Sequence, residues 1–160
     1  MILTMMKGKI HRVTCTGADL NYNGSITVDP DLLEAAGILE HEQVDVLDIN
    51  NGARLTTYAI RAKKRGGGEV TINGAAAHLI KKGDLLIICA YARMKEKEAK
   101  KHQPRVVLVD AKNRVAKTAR KSEGGRHVQP KPVKQPAVKP PKAKPAAKRS
   151  PATKRKAGTR

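Results

Sequence analysis

The sequence predicts a mainly β fold, a small closed barrel with short helices, followed by a disordered basic C-terminal tail. Short β-branched runs separated by turn residues fill positions 1–110 of the chain. Seven short strands with turns at this density favour a barrel over a sandwich. Closure of the sheet also removes exposed strand edges. The chain has no Phe or Trp, so we expect a core of Val, Ile, Leu, Met and Ala.

The strands are predicted where Val, Ile, Thr, Leu and Tyr cluster between turn residues. Asn-Gly pairs at 23–24, 51–52 and 73–74 and the triple glycine at 66–68 supply tight turns. The predicted strands are 10–14, 25–28, 44–49, 55–60, 69–72, 85–91 and 105–110.

One short helix is clearly marked at 31–36. Asp29 suits the N-cap, Pro30 the first position and Gly37 the C-terminal end. A second helical turn is predicted at 75–79, ended by Gly83. The polar segment 95–101 is a third helical candidate.

Charge divides the chain into a nearly neutral body and a basic tail. Residues 111–160 hold 17 of the 33 Lys and Arg and a single acid, Glu123. Residues 131–160 contain eleven Lys and Arg, six Pro and no acid, a composition that cannot bury enough apolar surface to fold. We therefore predict a barrel domain over residues 1–116 and a disordered Lys/Ala/Pro-rich tail over residues 117–160.

The remaining composition argues against several classes of protein. Cys15 and Cys89 are isolated, and the five histidines show no ligand spacing, so neither a disulfide framework nor a metal site is expected. No segment has the features of a signal peptide or the length of a membrane span. We expect a cytoplasmic protein without a membrane partner.

The dipeptide Gly24-Ser25 is a candidate site of self-cleavage. A serine hydroxyl can attack the carbonyl of a preceding glycine, and elimination and hydrolysis then leave an N-terminal pyruvoyl group, an electrophile made by the chain itself. Asn23-Gly24 is also a common hairpin turn. By itself the dipeptide favours the turn, and the surrounding motifs must decide between the two.

Those motifs resemble the pyruvoyl-dependent aspartate 1-decarboxylases, bacterial enzymes that make β-alanine for pantothenate and coenzyme A. The resemblance covers residues 1–115 and depends on the order and spacing of many short fragments. They are the opening Met6-Lys-Gly-Lys-Ile-His-Arg-Val13, Tyr22-x-Gly24-Ser25, Glu34-Ala-Ala-Gly-Ile-Leu-Glu40, Asn51-Gly52-x-Arg54, Thr57-Tyr58-Ala59-Ile60, Asn73-Gly-Ala-Ala-Ala-His78 and Gly83-Asp84.

The resemblance implies a six-stranded double-psi β-barrel, assembled as a homotetramer with active sites between subunits. It also implies autocatalytic cleavage at Gly24-Ser25 into two chains, 1–24 and 25–160. The cofactor would be the covalently bound pyruvoyl group derived from Ser25, with no pyridoxal phosphate and no metal. Whether maturation is spontaneous or needs a maturation factor stays open.

The resemblance also implies a role for each motif residue. The pyruvoyl at position 25 forms a Schiff base with L-aspartate, and Tyr58 returns a proton after carbon dioxide leaves. Arg54 and Lys9 hold the substrate carboxylates, and His11 supports Lys9. The residues implied in cleavage are Gly24, Ser25, Thr57 and Asn73; those implied in substrate binding are Lys9, His11, Arg54, Thr57, Gly74, Ala75 and Ala76.

Two features depart from the family pattern and leave alternatives open. Some relatives carry an aromatic residue where this chain has Leu47, so glutamate or another small acidic amine stays an alternative substrate. The basic tail is absent from most relatives. It is either a solvated extension or a non-specific binder of nucleic acid or another polyanion. In the rival interpretation, Gly24-Ser25 is only a turn and binding through the tail is the whole function.

Overall fold

The computed structural model describes residues 1–120, and β-strands dominate this part of the chain. The mainly β prediction is therefore confirmed. The strands are β1 (Ile2–Thr14), β2 (Gly17–Asp19), β3 (Ile26–Val28), β4 (Gln43–Asp48), β5 (Arg54–Arg61), β6 (Val70–Asn73), β7 (Leu85–Lys95), β8 (Arg105–Val109) and β9 (Val115–Arg120). The helices are α1 (Pro30–Ala36), α2 (Glu96–Ala99) and a 3₁₀ helix, Gly74–His78.

All seven predicted strands are present, but β2 and β9 were not predicted. Both lie at the ends of the strand order and pair with a single neighbour, so tertiary pairing rather than local composition makes them strands. β1 begins eight residues earlier than predicted because its first half pairs with β7. β9 runs four residues past the predicted domain boundary at 116. The rest of the predicted tail, residues 121–160, lies outside the described residues.

The helices match the predictions in position and differ in length. Asp29 caps α1 through its side chain, which accepts from Asp31 N, and Gly37 ends α1 in the left-handed conformation. The second helical turn, predicted at 75–79, is a 3₁₀ helix at Gly74–His78. The third candidate is reduced to the four residues of α2.

The strands form one continuous sheet in the order β2-β6-β3-β5-β4-β7-β1-β8-β9. Parallel pairs, such as β3 with β5, mix with antiparallel pairs, such as β3 with β6. This arrangement is consistent with the predicted small β-barrel. Residues 1–120 contain nine strands, more than the seven read from composition and the six implied by the resemblance.

The core is aliphatic, as the absence of Phe and Trp predicts. Its largest fully buried side chains are Ile10, Ile26, Leu32, Leu33, Ile38, Ile72, Ile80, Leu86, Ile88, Val13, Val28 and Val44. Ile26 of β3 and Ile72 of β6 lie opposite each other in the register. Their burial anchors the residues immediately before β3 and at the end of β6, where the site lies.

Asp29 fixes the other end of β3. Its carboxylate accepts hydrogen bonds from the backbone N–H groups of Asp31, Gly66 and Gly68. Burial raises the pKa of Asp29, but these backbone donors outweigh burial and the net pKa is lowered. The short strand is therefore held by its core residues and by an ionised cap at its C-terminal end.

Candidate active site

The cleavage loop, residues 22–25, leads directly into β3. Ser25 is only 2% exposed and has a φ of 93°, a conformation that residues other than glycine seldom adopt. Gly24 has a φ of 68°, and its N–H donates to the Tyr22 carbonyl at 2.7 Å. A Cβ on Gly24 would meet no atom within 4 Å. The glycine therefore serves the backbone conformation, and the space that a Gly24 side chain would occupy is open.

Asn73 holds Ser25 from the neighbouring strand. The backbone N–H of Asn73 donates to the Ser25 carbonyl, and its side-chain Nδ2 donates to Ser25 Oγ, both at 3.0 Å. Asn73 is 3% exposed, so these bonds form away from bulk water. One residue thus positions both the backbone and the hydroxyl of the candidate nucleophile.

Gly74 packs directly against the cleavage loop. Its φ is 65°, and a Cβ placed on it would lie 2.7 Å from Gly24 N and 2.8 Å from Gly24 Cα. Only glycine fits such a close backbone approach. Ala75 and Ala76 follow in the 3₁₀ helix; Ala75 is exposed and Ala76 packs against the core.

Tyr58 reaches the cleavage loop from β5. In the parallel register Ala59 pairs with Ile26, which places Tyr58 level with Ser25. The Tyr58 hydroxyl donates to the Asn23 carbonyl at 3.1 Å. Thr57 points to the opposite, half-buried face of β5. Among the described residues no hydrogen bond joins Thr57 to the Gly24 carbonyl, so the cleavage role of Thr57 stays a prediction.

The remaining candidate residues are Lys9 and His11 on β1 and Arg54 on β5. They share one face of the sheet formed by β1, β7, β4 and β5, here called the outer sheet face. Residues directly opposite each other in antiparallel strands point to the same face. One cross-strand row contains His11, Ile87, Leu47 and Arg54, and the next contains Lys9, Cys89, Asp45 and Thr56. Tyr58 shares this face, four residues along β5 from Arg54.

The structure brings Ser25, Asn73, Gly74 and Tyr58 together at the cleavage loop, whereas Lys9 and His11 lie on a strand that is not adjacent to β3. β1, which carries Lys9 and His11, is four strands away from β3 in the sheet order. At about 4.8 Å per strand this is about 19 Å along the sheet. Arg54 lies on β5, which stands between β3 and β1 in the sheet order. The predicted sharing of a face by Lys9 and His11 is confirmed.

The electrostatics of the outer sheet face favour a neutral histidine beside two cations. Burial, followed by the charges of Lys9 and Arg12, lowers the pKa of His11 below 6.5. His11 Nδ1 is buried with no hydrogen-bond partner among the described residues. Lys9 and Arg54 supply positive charge for a dicarboxylate, and the unpartnered imidazole nitrogen is available to a further polar group.

Arg54 borders a shallow depression of about 210 Å³ on the outer sheet face. Its other lining residues are Asp45, Leu47, Leu55, Thr56 and Tyr91. Thr56 Oγ1 donates to Asp45 Oδ1 at 2.7 Å. Burial, followed by the neighbouring Cys89 and Asp45, raises the pKa of Tyr91, so the phenol stays protonated. Asp45 and Tyr91 were not singled out from sequence, because strand register rather than spacing places them beside Arg54.

Thr27 is a further residue that sequence reasoning missed. Its hydroxyl Oγ1 accepts a hydrogen bond from Asn73 Nδ2 at 2.9 Å. The only sequence signal was its place two residues after Ser25, and in the structure one Asn73 nitrogen reaches both hydroxyl groups.

Two negative findings apply to residues 1–120. No three His, Cys, Asp or Glu side chains in this range come close enough to hold a metal ion. Within the same range no helix has the length and apolarity needed to cross a bilayer.

Comparison with known proteins identifies the chain's relatives. The family model described as aspartate decarboxylase matches residues 1–116. An aspartate 1-decarboxylase of Carboxydothermus hydrogenoformans is 58% identical over 125 residues, 78% of this chain and 98% of the relative. The aspartate 1-decarboxylase of Clostridium beijerinckii is 59% identical over 115 residues, 72% of this chain and 92% of the relative. The aspartate 1-decarboxylase of Bdellovibrio bacteriovorus is 54% identical over 115 residues, 72% of this chain and 90% of the relative. With the cleavage loop between Asn73 and Tyr58, these matches lead to one conclusion: the chain belongs to the aspartate decarboxylase family.

Proposed function

We propose that this protein cuts itself between Gly24 and Ser25 and uses the resulting pyruvoyl group to decarboxylate L-aspartate. The products are β-alanine and carbon dioxide, and β-alanine serves pantothenate synthesis. The three relatives described above are named aspartate 1-decarboxylase. The observation that carries the proposal is the setting of Ser25, buried at a φ of 93° with Oγ held by Asn73.

The cleavage reaction needs no outside reactant except water. Ser25 Oγ attacks the Gly24 carbonyl carbon, its proton passes to the Ser25 nitrogen, and the C–N bond breaks to leave an ester. Loss of the Ser25 Cα proton then expels the Gly24 carboxylate from Cβ. Addition of water and loss of ammonia leave a ketone at position 25. Strain at a serine with positive φ favours the first step, because breaking the peptide bond releases that strain.

The residues present fit a pyruvoyl group at position 25. The open space beside Gly24 and the exposed Ala75 leave room for a substrate. The group supplies a ketone that captures the aspartate amine and accepts the electron pair left when carbon dioxide departs. Gly74 carries no side chain, which lets the start of the 3₁₀ helix lie directly against Gly24.

Tyr58 is the proposed proton donor. Its hydroxyl lies 3.1 Å from the Asn23 carbonyl, at the edge of the cleavage loop. Decarboxylation leaves a carbanion that must be protonated, and a phenol at the mouth of the site can do so. Asn73 and Thr57 are proposed to act earlier, in cleavage, and Gly74, Ala75 and Ala76 to line the substrate site.

Arg54, Lys9 and His11 are proposed to hold the two carboxylates of aspartate. Arg54 offers a planar fork and Lys9 a compact charge, while His11 supports Lys9. Lys9 and His11 lie on β1, four strands from β3 in the sheet order. We therefore propose a homotetramer in which β1 of one subunit completes the site of its neighbour.

Intact-mass measurement tests this proposal. Purified protein is measured before and after incubation at elevated temperature, and aspartate consumption and β-alanine formation are followed in parallel. We expect two chains, 1–24 and 25–160, the larger one beginning with a pyruvoyl group. If the purified chain stays intact, a lysate of the source organism is added to supply a maturation factor.

Ser25→Ala is the matched control. It removes only the hydroxyl, so it should stay a single chain and make no β-alanine. Decarboxylation by Ser25→Ala, or by a wild-type chain that stays uncut, would refute the mechanism. Size measurement of the matured protein tests the tetramer.

Two further proposals concern location and partners. Cys15 and Cys89 are free, buried thiols, which suits a reducing compartment such as the cytoplasm. Residues 121–160 carry 13 Lys and Arg against one acid, and we propose that they bind nucleic acid or another polyanion non-specifically. Retention on a polyanion should weaken with salt and disappear when residues 121–160 are removed, while decarboxylation persists.

A further inference from the structure

Thr27 contacts the residue that holds the serine of the cleavage site. Asn73 donates through Nδ2 to two hydroxyl groups, Ser25 Oγ at 3.0 Å and Thr27 Oγ1 at 2.9 Å. A primary amide has two N–H groups on this nitrogen, so both are engaged. We propose that Thr27 is a positioning residue for self-cleavage, which fixes the Asn73 amide so that the amide holds Ser25 Oγ for its attack on the Gly24 carbonyl.

The strand register explains why these three side chains meet. Ile26 pairs with Ile72 and Thr27 with Thr71 across β3 and β6. Ser25 immediately precedes β3 and Thr27 lies within it, and both hydroxyl groups lie within 3.0 Å of Asn73 Nδ2. Asn73 lies opposite Ser25 and diagonally from Thr27, within reach of both.

A second hydrogen bond matters because the terminal torsion of an asparagine is weakly restrained. An sp³–sp² torsion such as Asn χ2 has a broad energy profile, so a single bond to Ser25 Oγ would let the amide rotate. Hydrogen bonds to two acceptors, Ser25 Oγ and Thr27 Oγ1, fix the plane of the Asn73 amide. Without the Thr27 hydroxyl, one N–H of an amide that is 3% exposed would lose its partner, which favours rotation toward other acceptors.

The orientation of the amide bears on the reactivity of Ser25. When Asn73 donates to Oγ, the hydroxyl proton is free to pass to the Ser25 nitrogen during the attack. The same N–H stabilises negative charge that develops on Oγ. If the amide turned its oxygen toward Ser25, the hydroxyl would donate its proton to that oxygen instead. Thr27 therefore acts on the reaction through Asn73 and does not touch the reacting atoms.

The test compares cleavage rates of three single variants with the full-length wild type. Thr27→Val removes the hydroxyl and keeps the β-branched shape; Thr27→Ser keeps the hydroxyl. Thr71→Val is the matched control, because Thr71 lies opposite Thr27 on β6 and its hydroxyl contacts Glu69 Oε1 at 3.4 Å. The cleaved fraction is followed over time by intact mass, and the unfolding temperature of each variant is measured beside it.

We expect Thr27→Val to cleave about ten to a hundred times more slowly than wild type, as a loss of positioning predicts. Thr27→Ser and Thr71→Val should cleave at close to the wild-type rate. In a double-mutant cycle, Thr27→Val should not slow cleavage further once Asn73→Ala is present, because Thr27 acts through Asn73. A merely structural role would lower the unfolding temperature and add to the effect of Asn73→Ala.

Three results would overturn the inference: Thr27→Val cleaving at the wild-type rate, Thr27→Ser as slow as Thr27→Val, or additive effects in the cycle. The inference rests on the proposed self-cleavage, and the two are separable. Normal cleavage of both wild type and Thr27→Val refutes only the role of Thr27. A wild-type chain that is never cut at Gly24-Ser25 refutes the proposed function and the role of Thr27 together.

Discussion

The cleavage loop and the outer sheet face are built in opposite ways. At the cleavage loop, Ser25 and Asn73 are almost fully buried, and each hydrogen bond of the Asn73 side chain ends on a hydroxyl of the same chain. On the outer sheet face, Arg54 is exposed, Tyr58 is 41% exposed and His11 Nδ1 is buried without a partner among the described residues.

This difference indicates which part of the function a single chain can perform. Every group proposed for cleavage lies within hydrogen-bond or van der Waals distance of the cleavage loop except Thr57. The groups proposed for substrate binding are divided among β1, β5 and the 3₁₀ helix, and the unpartnered nitrogen of His11 is among them. Changes at the first region should therefore alter maturation, and changes at the second should alter turnover of enzyme that has already matured.

Tyr58→Phe should have the largest effect, because it removes the hydroxyl of the proposed proton donor. The change keeps the ring and removes the hydroxyl that donates to the Asn23 carbonyl. We expect cleavage to persist and decarboxylation per pyruvoyl group to fall about 10²- to 10⁴-fold, the usual loss for a missing general acid. Mass measurement gives the cleaved fraction, and β-alanine formation gives the rate. A matured Tyr58→Phe enzyme with the wild-type rate would exclude Tyr58 as the proton donor.

Arg54→Lys should separate the two regions cleanly. Lysine keeps the charge but loses the planar fork that binds a carboxylate in two places. We expect normal cleavage and a KM for aspartate raised about tenfold, the equivalent of about 1.4 kcal/mol. Arg61→Lys is the control, because Arg61 lies on the same strand and pairs with Glu34 at the surface. Equal KM values for the two variants would remove Arg54 from the substrate site.

Gly24→Ala should slow maturation by a smaller factor. Gly24 has a φ of 68°, and a Cβ there meets nothing within 4 Å, so the cost is conformational, about 1 kcal/mol. Gly52→Ala is a matched control, with a φ of 78° and equally open space. Both variants should lose similar stability in thermal unfolding, and only Gly24→Ala should cleave more slowly. Equal cleavage rates would show that the conformation of Gly24 does not control the reaction.

The smallest effect is the contribution of His11 to the pH dependence of stability. Because burial and the nearby Lys9 and Arg12 lower the pKa of His11 below 6.5, the unfolded chain binds a proton at a higher pH than the folded one. The free energy of unfolding should therefore fall as the pH drops below about 6.5, until the folded histidine also protonates. The stabilisation from the neutral His11 is fully present at pH values above the pKa of this histidine in the unfolded chain.

Denaturant unfolding at a series of pH values measures this effect. His11→Gln should flatten the slope of stability against pH below about 6.5, whereas His78→Gln, at an exposed histidine, should change it less. An unchanged slope in His11→Gln would show that another group carries the pH dependence.

Much of the secondary structure could be predicted because its signals are local. The cap at Asp29, the proline after it and the left-handed Gly37 define α1, and β-branched runs define the long strands. β2 was missed because three residues including a glycine have no periodicity, and β9 because its basic composition resembles the tail that follows. The 3₁₀ helix lies within one residue of its predicted position.

The candidate site was predictable only in part. Gly24-Ser25 and its motifs pointed to Ser25, Asn73, Gly74 and Tyr58, which the fold brings together. No pattern pointed to Thr27, Asp45 or Tyr91, because their neighbours come from other strands. Register decides such neighbours, and a shift by one residue would turn each side chain to the other face.

The sequence by itself determined the mainly β class, the aliphatic core, the basic composition of residues 111–160 and the residues proposed for cleavage and decarboxylation. These depend on composition and local spacing. Only the tertiary structure decided that Ser25 is buried at a positive φ, that Asn73 joins it to Thr27, and that Lys9 and His11 lie four strands away. Those facts follow from the pairing of strands distant in sequence, whose free energy comes from burying shared apolar surface and not from any local segment.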